Sequence, residues 1–330
     1  MATIRDVARH AGVSAGTVSN VLNRPGYVSV ATRERVLRAI TELGFRPTPH
    51  ARQFRLGRER TLGLALADLG NPFFVDVALA AADYARDLGV GVIMVHDAND
   101  AVAEQQNLDV LIQQRVHGIM VAPVDEANPR LEELLTQGVP IVYVDRISGE
   151  RPVCFVTIDN RAGGRKAAEH LVSRGRRRLA SAGGQTAFAQ VTERYEGFVE
   201  GAAGSGATVT RLSSTDWTME DGRSLADTIA RMPASERPDG VLATNDMVAL
   251  GLLHGLVGHG IDVPRDVAIV GFDDLIWGRD AIVPLTSVRQ DRRAIGEAAV
   301  RLLLDEIDNS EHHEHSHIVL EPELVVRSST

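Results

Sequence analysis

The sequence predicts a small all-α head followed by an α/β body of two Rossmann-like lobes. Residues 1–60 fall into three short helical stretches and a polar tail. They hold 11 arginines against four acids (Asp6, Glu34, Glu42, Glu59), a net charge of +7. From Thr61 onward, short apolar runs alternate with helical stretches, the pattern of parallel strands with covering helices. The whole 330-residue chain carries −9, so the body carries −16. A basic head on an acidic body is the asymmetry expected when only the head meets a polyanion.

Within the head, Thr3 and Asp6 form a capping box for a first helix with Ile4, Val7 and Ala8 inward. Ala11-Gly12 breaks it. Ser14 is the N-cap of a second helix that carries Val18, Val21 and Leu22. Asn23 to Gly26 is a loop. Ser29 caps a third helix, with Val36, Leu37, Ile40 and Leu43 inward and Gly44 as its stop. Helix, tight turn, helix and supporting helix is the helix-turn-helix plan, in which the second helix lies in the DNA major groove.

The outward face of that second helix is Ala15, Gly16, Thr17, Ser19 and Asn20. Small side chains permit close approach, and Asn20 can pair bidentately with an adenine. The Thr17 and Ser19 hydroxyls suit phosphates. Thr3, Ser14, Asn23, Ser29 and Arg33 complete the set expected to face DNA from residues 1–46. The linker "RPTPHARQFRLGRER" (46–60) is basic, holds two prolines and lacks the apolar residues to fold alone. Thr48 caps a short helix there, with Pro49 at its first position.

The body begins with "TLGLALA" and "GVIMVH", separated by a helix from about Phe73 to Leu88. "GIMVAP", "PIVYVD" and "VCFVTID" follow, then the helix "RAGGRKAAEHLVSRG", then "LASAGG", "ATVTRL", "GVLATN" and "VAIVGFDD". There are too many strands for one compact sheet. We expect a first lobe over about 61–160 and 291–320, and a second over about 161–289 with the C-terminal end. Crossings fall near Asn160 and Gln290.

Open α/β sheets bind ligands beyond the carboxyl ends of their strands. The polar and aromatic residues there are Asn71, Phe73 and Phe74, then Asp145 and Arg146. The second half and its return crossover add Arg194, Trp217, Asn245, Asp273 and Gln290. Carboxylates and amides pair with vicinal hydroxyls, and rings stack on the apolar face of a sugar. The set suits a neutral, hydroxyl-rich molecule. One of Phe73 and Phe74 is expected to stack. Asp145 and Arg146 have the competing option of pairing with each other. Asp246 is expected to cap the helix it begins.

Other function classes find less support. One cysteine, Cys154, makes no internal disulfide, and no zinc-ligand spacing is present, which fits a reducing cytoplasm. The charged N-terminus is not a signal peptide, which argues against an extracytoplasmic sugar carrier. No stretch approaches the length of a membrane span. "SAGGQT" lacks the lysine and spacing of a phosphate loop, and no cofactor is expected. "EHHEHSH" (311–317) has no tetrahedral ligand spacing on a defined element and is expected to be a solvated loop without a metal. Asp145 and Asp273 as a glycosidase pair lack a legible apolar surround to shift a carboxyl pKa, so an enzyme is not expected.

"TIRDVARHAGVSAGTVSNVLN…VSVATRERVLRAITELGFRP" resembles the DNA-binding headpiece of the lactose/galactose-repressor family. The resemblance continues through "GNPFF", "VDR", "IDNRAGG", "RYEGF", "ATNDMVALG", "VGFDD", "LTSVRQD" and "PELVVR", nearly the whole chain in family order. It implies a periplasmic-binding-protein-like body, a palindromic DNA operator, a homodimer and a monosaccharide effector of ribose type that releases DNA when the lobes close. The alternative it carries is a purine or sugar-phosphate corepressor that tightens binding. It also implies that the linker, including Thr48 and Ala51, forms a hinge helix on DNA. A leucine from that hinge wedges the minor groove in the family, and the matching residue here is Phe54.

Two departures matter. Asn20 stands where the family often carries arginine, and Ala15-Gly16 replaces a bulky polar pair. The operator sequence therefore does not transfer from relatives. No leucine heptads follow "PELVVRSST", so a dimer is expected and not a tethered tetramer.

Overall fold

The computed structural model describes residues 2–23, 27–44, 60–125, 127–149, 151–184 and 188–330. Thr48, Ala51 and Phe54 lie outside the described residues, as do the side chains of Leu22 and Asn23. The chain divides into two compact units, 1–60 and 61–330.

The head has three helices, α1 (Ile4–Ala11), α2 (Ala15–Asn23) and α3 (Val30–Glu42). The Thr3 side chain accepts from the Asp6 amide while the Asp6 carboxylate accepts from the Thr3 amide, the expected capping box. Gly12 takes φ 64°, a left-handed residue that turns α1 into α2 and favours glycine. Ser14 Oγ accepts from the Thr17 amide at 3.0 Å and so caps α2. Ser29 caps α3 through the Thr32 amide. Val7, Ala8, Ala11, Val18, Val21, Val36 and Ala39 form the small core. His10 Nε2 meets Glu42 at 2.7 Å and ties α1 to α3 at the surface.

The body alternates strands and helices: β1 (Thr61–Leu66), α4 (Pro72–Asp87), β2 (Gly91–His96), α5 (Ala101–Gln113), β3 (Ile119–Val121), α6 (Pro129–Thr136), β4 (Ile141–Val144) and β5 (Cys154–Ile158). Then come α7 (Asn160–Ser173), β6 (Arg178–Ala182), α8 (Ala189–Ala202), β7 (Thr208–Leu212), α9 (Met219–Arg231), β8 (Gly240–Ala243), α10 (Asp246–Gly258) and β9 (Ala268–Asp273). The chain ends with α11 (Ile276–Arg279), β10 (Thr286–Arg289), α12 (Arg292–Asp308), β11 (His317–Leu320) and β12 (Glu323–Val325).

Two six-stranded sheets result, ordered β11-β5-β4-β3-β1-β2 and β12-β10-β9-β8-β6-β7. Every pair is parallel except β10 with β12. Strands β3, β4, β5, β8 and β9 are buried throughout, which is why they read as unbroken apolar runs. Edge strand β2 is half exposed. The chain crosses between the sheets three times: at Asp159, at Gln290 and at Glu321-Pro322. Strand order reverses where β1 sits between β3 and β2, and again where β6 sits between β8 and β7. Those are the points at which open sheets leave a crevice.

Helices α7 and α8 cross unusually close, and glycine permits it. A Cβ on Gly164 would stand 2.0 Å from the Arg194 carbonyl oxygen, and one on Gly197 1.9 Å from that of Arg161. Backbone cannot yield as a side-chain tip can. Gly197→Ala is expected to destabilise the body by about 1–3 kcal/mol or more, read as a lower urea midpoint, and to displace Arg194 on the same helix.

Candidate nucleic-acid interface and ligand cleft

On the head, α2 turns Val18 and Val21 into the core and leaves Ala15, Gly16 and Asn20 exposed, with Thr17 and Ser19 half-buried. Among the described residues only Ser14 Oγ, at 3.6 Å, would meet a Cβ at Gly16, so this face has room for a close approach. Several expected hydroxyls are already engaged. Thr3 Oγ1 donates to Asp6 at 2.6 Å, Ser29 Oγ to Thr32 at 3.0 Å, and Ser14 and Thr17 pair at 2.9 Å. They fix helix starts, whose free amides attract phosphates. Arg33 is half-buried on the first turn of α3. Sequence reasoning passed over Tyr27, 86% exposed just after α2. Its signal was available: a large aromatic in a polar, glycine-containing turn.

In the body, a cleft lies at the carboxyl ends of both sheets. Asn71, Phe73, Phe74 and Asp145 line it from the first sheet, and Arg194, Trp217, Asn245 and Asp273 from the second. Gln290 stands on the crossover, and Gln190, Val191 and Thr244 complete the wall. All the expected effector residues except Arg146 are lining residues. Arg146 stands behind Asp145: its Nη1 donates to Asp145 Oδ2 at 2.9 Å and to the Asp145 carbonyl at 2.7 Å, and its Nε to the Pro123 carbonyl. Gln190 was missed although it lies one helical turn before Arg194. Phe188, also missed, packs edge-on against Trp217 at 4.8 Å.

A wider groove of about 690 Å³ runs between α4 and α12, walled by Asp76, Asp83, Arg292, Arg293 and other polar chains. It is open, and Arg292 pairs with Asp76 across it at 2.9 Å. The cleft is narrower, with about 20 Å³ free for the centres of water-sized molecules, on the order of one or two waters. It nevertheless carries the buried, unpaired chemistry. Asp145 Oδ1, Gln190 Oε1, Asp273 Oδ2 and Gln290 Oε1, all on lining residues, are buried with no hydrogen-bond partner among the described residues, as is Arg146 Nη2 behind them. Unsatisfied buried polar atoms are costly, and a cluster of them marks a place built to be completed by a ligand.

The framework holding these groups is tightly specified. Asn71 caps α4 through the Phe73 amide, and Asn245 caps α10 through the Val248 amide at 2.8 Å. Asp246 does not cap α10, contrary to expectation. It lies inside the first turn and accepts from the Leu275 amide and the Ser287 hydroxyl. Arg194 is fixed by Asn160 Oδ1 at 2.8 Å and the Thr244 carbonyl at 2.6 Å, and its guanidinium lies 3.7 Å over the Phe272 ring. Gln290 Nε2 donates to Asp273 Oδ1 at 2.6 Å, and Arg292 Nη1 to the Asp273 carbonyl. Gln190 Nε2 reaches across the lobes to Asp145 at 3.3 Å.

Asp145 and Asp273 both take positive φ, 57° and 110°. Such strain costs about 1–3 kcal/mol per residue and collects at ligand sites. Burial pushes the Asp273 carboxyl up to about 7, against the pull of Arg194, Gln290 and Arg292. The surround that shifts this carboxyl was not legible in the sequence: Asp273 is 2% exposed, and its partners Gln290 and Arg292 are distant in the chain. Burial also lowers the Arg194 pKa, and the nearby carboxylates oppose that shift. No helix among the described residues is long and apolar enough to cross a membrane.

Comparison with known proteins covers both compact units. Residues 3–48 match "Bacterial regulatory proteins, lacI family", and residues 168–330 match a periplasmic binding protein-like domain. The chain is 33% identical over 330 residues to the ribose operon repressor of Halalkalibacterium halodurans, covering 100% of this chain and 97% of that one. It is 30% identical to the HTH-type transcriptional repressor PurR of Photobacterium profundum, covering 100% and 98%. Among solved structures, the lac repressor dimer bound to operator and the anti-inducer ONPF superposes with a TM-score of 0.81 at 28% identity, over 100% of this chain and 99% of that one.

Proposed function

The chain belongs to the lacI family of bacterial regulatory proteins, DNA-binding transcriptional repressors with small-molecule effectors, and from that premise we propose that its effector is a neutral monosaccharide of ribose type. The observation that carries this is the balance of unpaired groups in the cleft. The four on lining residues are all acceptors (Asp145 Oδ1, Gln190 Oε1, Asp273 Oδ2, Gln290 Oε1), while Arg146 Nη2, a donor, lies behind Asp145 and off the wall. A ligand that satisfies four acceptors brings several O–H donors, which is a polyol. A phosphate brings acceptors only and would face two carboxylates. Phe73, Phe74 and Trp217 supply rings for the sugar's apolar face.

We assign the operator contacts to α2, with Asn20 reading a base and the capped helix starts positioning phosphates. The active species is a homodimer. Exposed Leu79, Met94, Val102 and Val110 on α4, β2 and α5, with Ile276, Trp277 and Ile282 on the second lobe, supply the apolar surface for it. Sugar breaks the Gln190–Asp145 bridge and resets the angle between lobes, so the two heads no longer match their half-sites. The coupling is reciprocal: operator must weaken sugar binding by the same factor.

A calorimetric screen of monosaccharides, purines and sugar phosphates, joined to operator binding with each hit, tests this. A neutral monosaccharide is expected to bind, to release DNA, and to bind more tightly at pH 8 than at pH 6. Asp273 titrates near 7, and its ionised form is the one that accepts sugar hydroxyls by charge-assisted bonds. Below pH 7 a proton must leave first, so affinity falls by up to about tenfold per pH unit. Stability runs the other way. Between pH 4 and 7 the folded protein holds more protons at Asp273 than the unfolded chain, so this group's contribution declines as pH rises. Binding of a purine with tighter DNA binding would reverse the reading.

A further inference from the structure

The four side chains Cys154, Glu306, His313 and His315 each offer one ligand atom, and these atoms all lie within 4.8 Å of one another. It is the only such group of three or more His, Cys, Asp or Glu side chains among the described residues. We propose that they bind one divalent transition-metal cation of the zinc class. Cys154 opens β5, Glu306 lies in the last turn of α12, and both histidines come from the segment that returns to β11. The stretch expected to be a solvated loop is only partly so, since the His313 side chain is 3% exposed.

The arrangement has the features of a metal centre beyond proximity. Cys154 Sγ lies 3.2 Å from His313 Nε2 and 3.9 Å from His315 Nδ1. Bond lengths of about 2.3 Å to sulfur and 2.0–2.1 Å to nitrogen place tetrahedral ligands about 3.3–3.6 Å apart, so little movement is needed. The other nitrogen of His313 meets Asp305 Oδ2 at 2.8 Å. That contact puts the proton on Nδ1 and leaves the Nε2 lone pair toward the sulfur, as carboxylate partners of metal-bound histidines do. The Ser316 amide donates to Cys154 Sγ at 3.2 Å and partly offsets the burial that raises this thiol's pKa. Glu306 Oε2 is buried without a partner among the described residues. A sulfur, two imidazoles and one carboxylate suit Zn²⁺ or Co²⁺ and not Mg²⁺ or Ca²⁺.

The location separates this site from the effector cleft. Cys154 is at the amino end of β5, and Asp145 follows the carboxyl end of its parallel neighbour β4, so the two sites sit at opposite ends of one sheet. A bound cation would clip the segment after α12 onto the sheet edge, where the Phe155 amide already bonds to the Ser316 carbonyl and His317 stacks on Phe155 at 4.3 Å.

The test titrates the metal-stripped full chain with Co²⁺ and, separately, Zn²⁺. One equivalent of Co²⁺ is expected to give a thiolate-to-cobalt charge-transfer band that Zn²⁺ abolishes. A hundredfold excess of Zn²⁺ over its Kd should raise Tm by about 5–10 °C. Cys154→Ser should lose the band. The exposed His315→Ala should weaken Zn²⁺ at least tenfold with the fold intact by circular dichroism, which keeps the test open if Cys154→Ser does not fold. No thiolate band in the wild type, or Zn²⁺ affinity unchanged in His315→Ala, overturns the proposal and assigns any metal uptake to surface histidines.

Discussion

Asp273→Ala is expected to lower monosaccharide affinity by tenfold to a hundredfold or more while leaving operator binding intact. Asp273 ends β9 at φ 110°, is 2% exposed, and keeps Oδ2 unpaired beside Gln290 and Arg194. A ligand hydroxyl donated to that oxygen is a charge-assisted bond worth roughly 1.5–3 kcal/mol, and each 1.4 kcal/mol is tenfold in Kd. The head has its own core and forms a separate compact unit, so DNA binding does not depend on this carboxylate. The result is a repressor that no longer answers its inducer. Alanine also removes the Gln290 bond and sits poorly at positive φ, so Asp273→Asn is the companion variant. It keeps the shape, loses the charge, and should flatten the dependence of sugar affinity on pH between 6 and 8. Calorimetry on both variants decides: undiminished affinity in each would remove Asp273 from the site.

Much of this architecture was legible because its physics is local. Strands buried on both faces read as apolar runs, so β1, β3, β4, β5, β8 and β9 stood out. Thr3, Ser14 and Ser29 announced their helices because caps are chemical. The strands that escaped notice, β10 (TSVR), β11 (HIVL) and β12 (ELV), are too short or too polar to show a period, and long-range pairing alone makes them strands. The cleft followed the same division. The strand-end rule found Asn71, Asp145 and Asp273, but it offered Arg146, whose guanidinium the Asp145 and Pro123 carbonyls hold behind the wall. Gln190 projects from a helix, where no strand-end rule points, whereas Thr244 directly follows β8 and was passed over for its neighbour Asn245. The charged and hydrogen-bonding partners of Asp273, namely Arg194, Gln290 and Arg292, are none of them adjacent to it in sequence. The Cys154 cluster is the extreme case: its sulfur and His313 are 159 residues apart, so no spacing within 311–317 could reveal it.

Asn20→Ala is expected to relax base preference at one symmetric position in each operator half-site. Asn20 is exposed on α2, as are Ala15 and Gly16, which leave room for a base edge. An asparagine amide offers one donor and one acceptor in a plane, the complement of adenine N7 and N6, and a good bidentate pair discriminates by about 1–3 kcal/mol against the wrong base. Specific affinity should therefore fall roughly 5-fold to 150-fold. Affinity for scrambled DNA should stay unchanged, because nonspecific binding is carried by the basic residues and phosphate contacts. The slope of log affinity against log salt should also stay unchanged, since no charge is removed. An arginine that contacts phosphate would behave oppositely, losing affinity on every sequence and flattening that slope. Folding does not confound the comparison: Asn20 lies outside the head's core, and alanine is the better helix former. The measurement is a competition series, at one fixed salt concentration, between the palindrome selected by the wild type and its single-base variants. If the ratio of selected to scrambled binding is the same in Asn20→Ala as in the wild type, Asn20 does not read the sequence, and the specificity of this head resides in side chains other than Asn20.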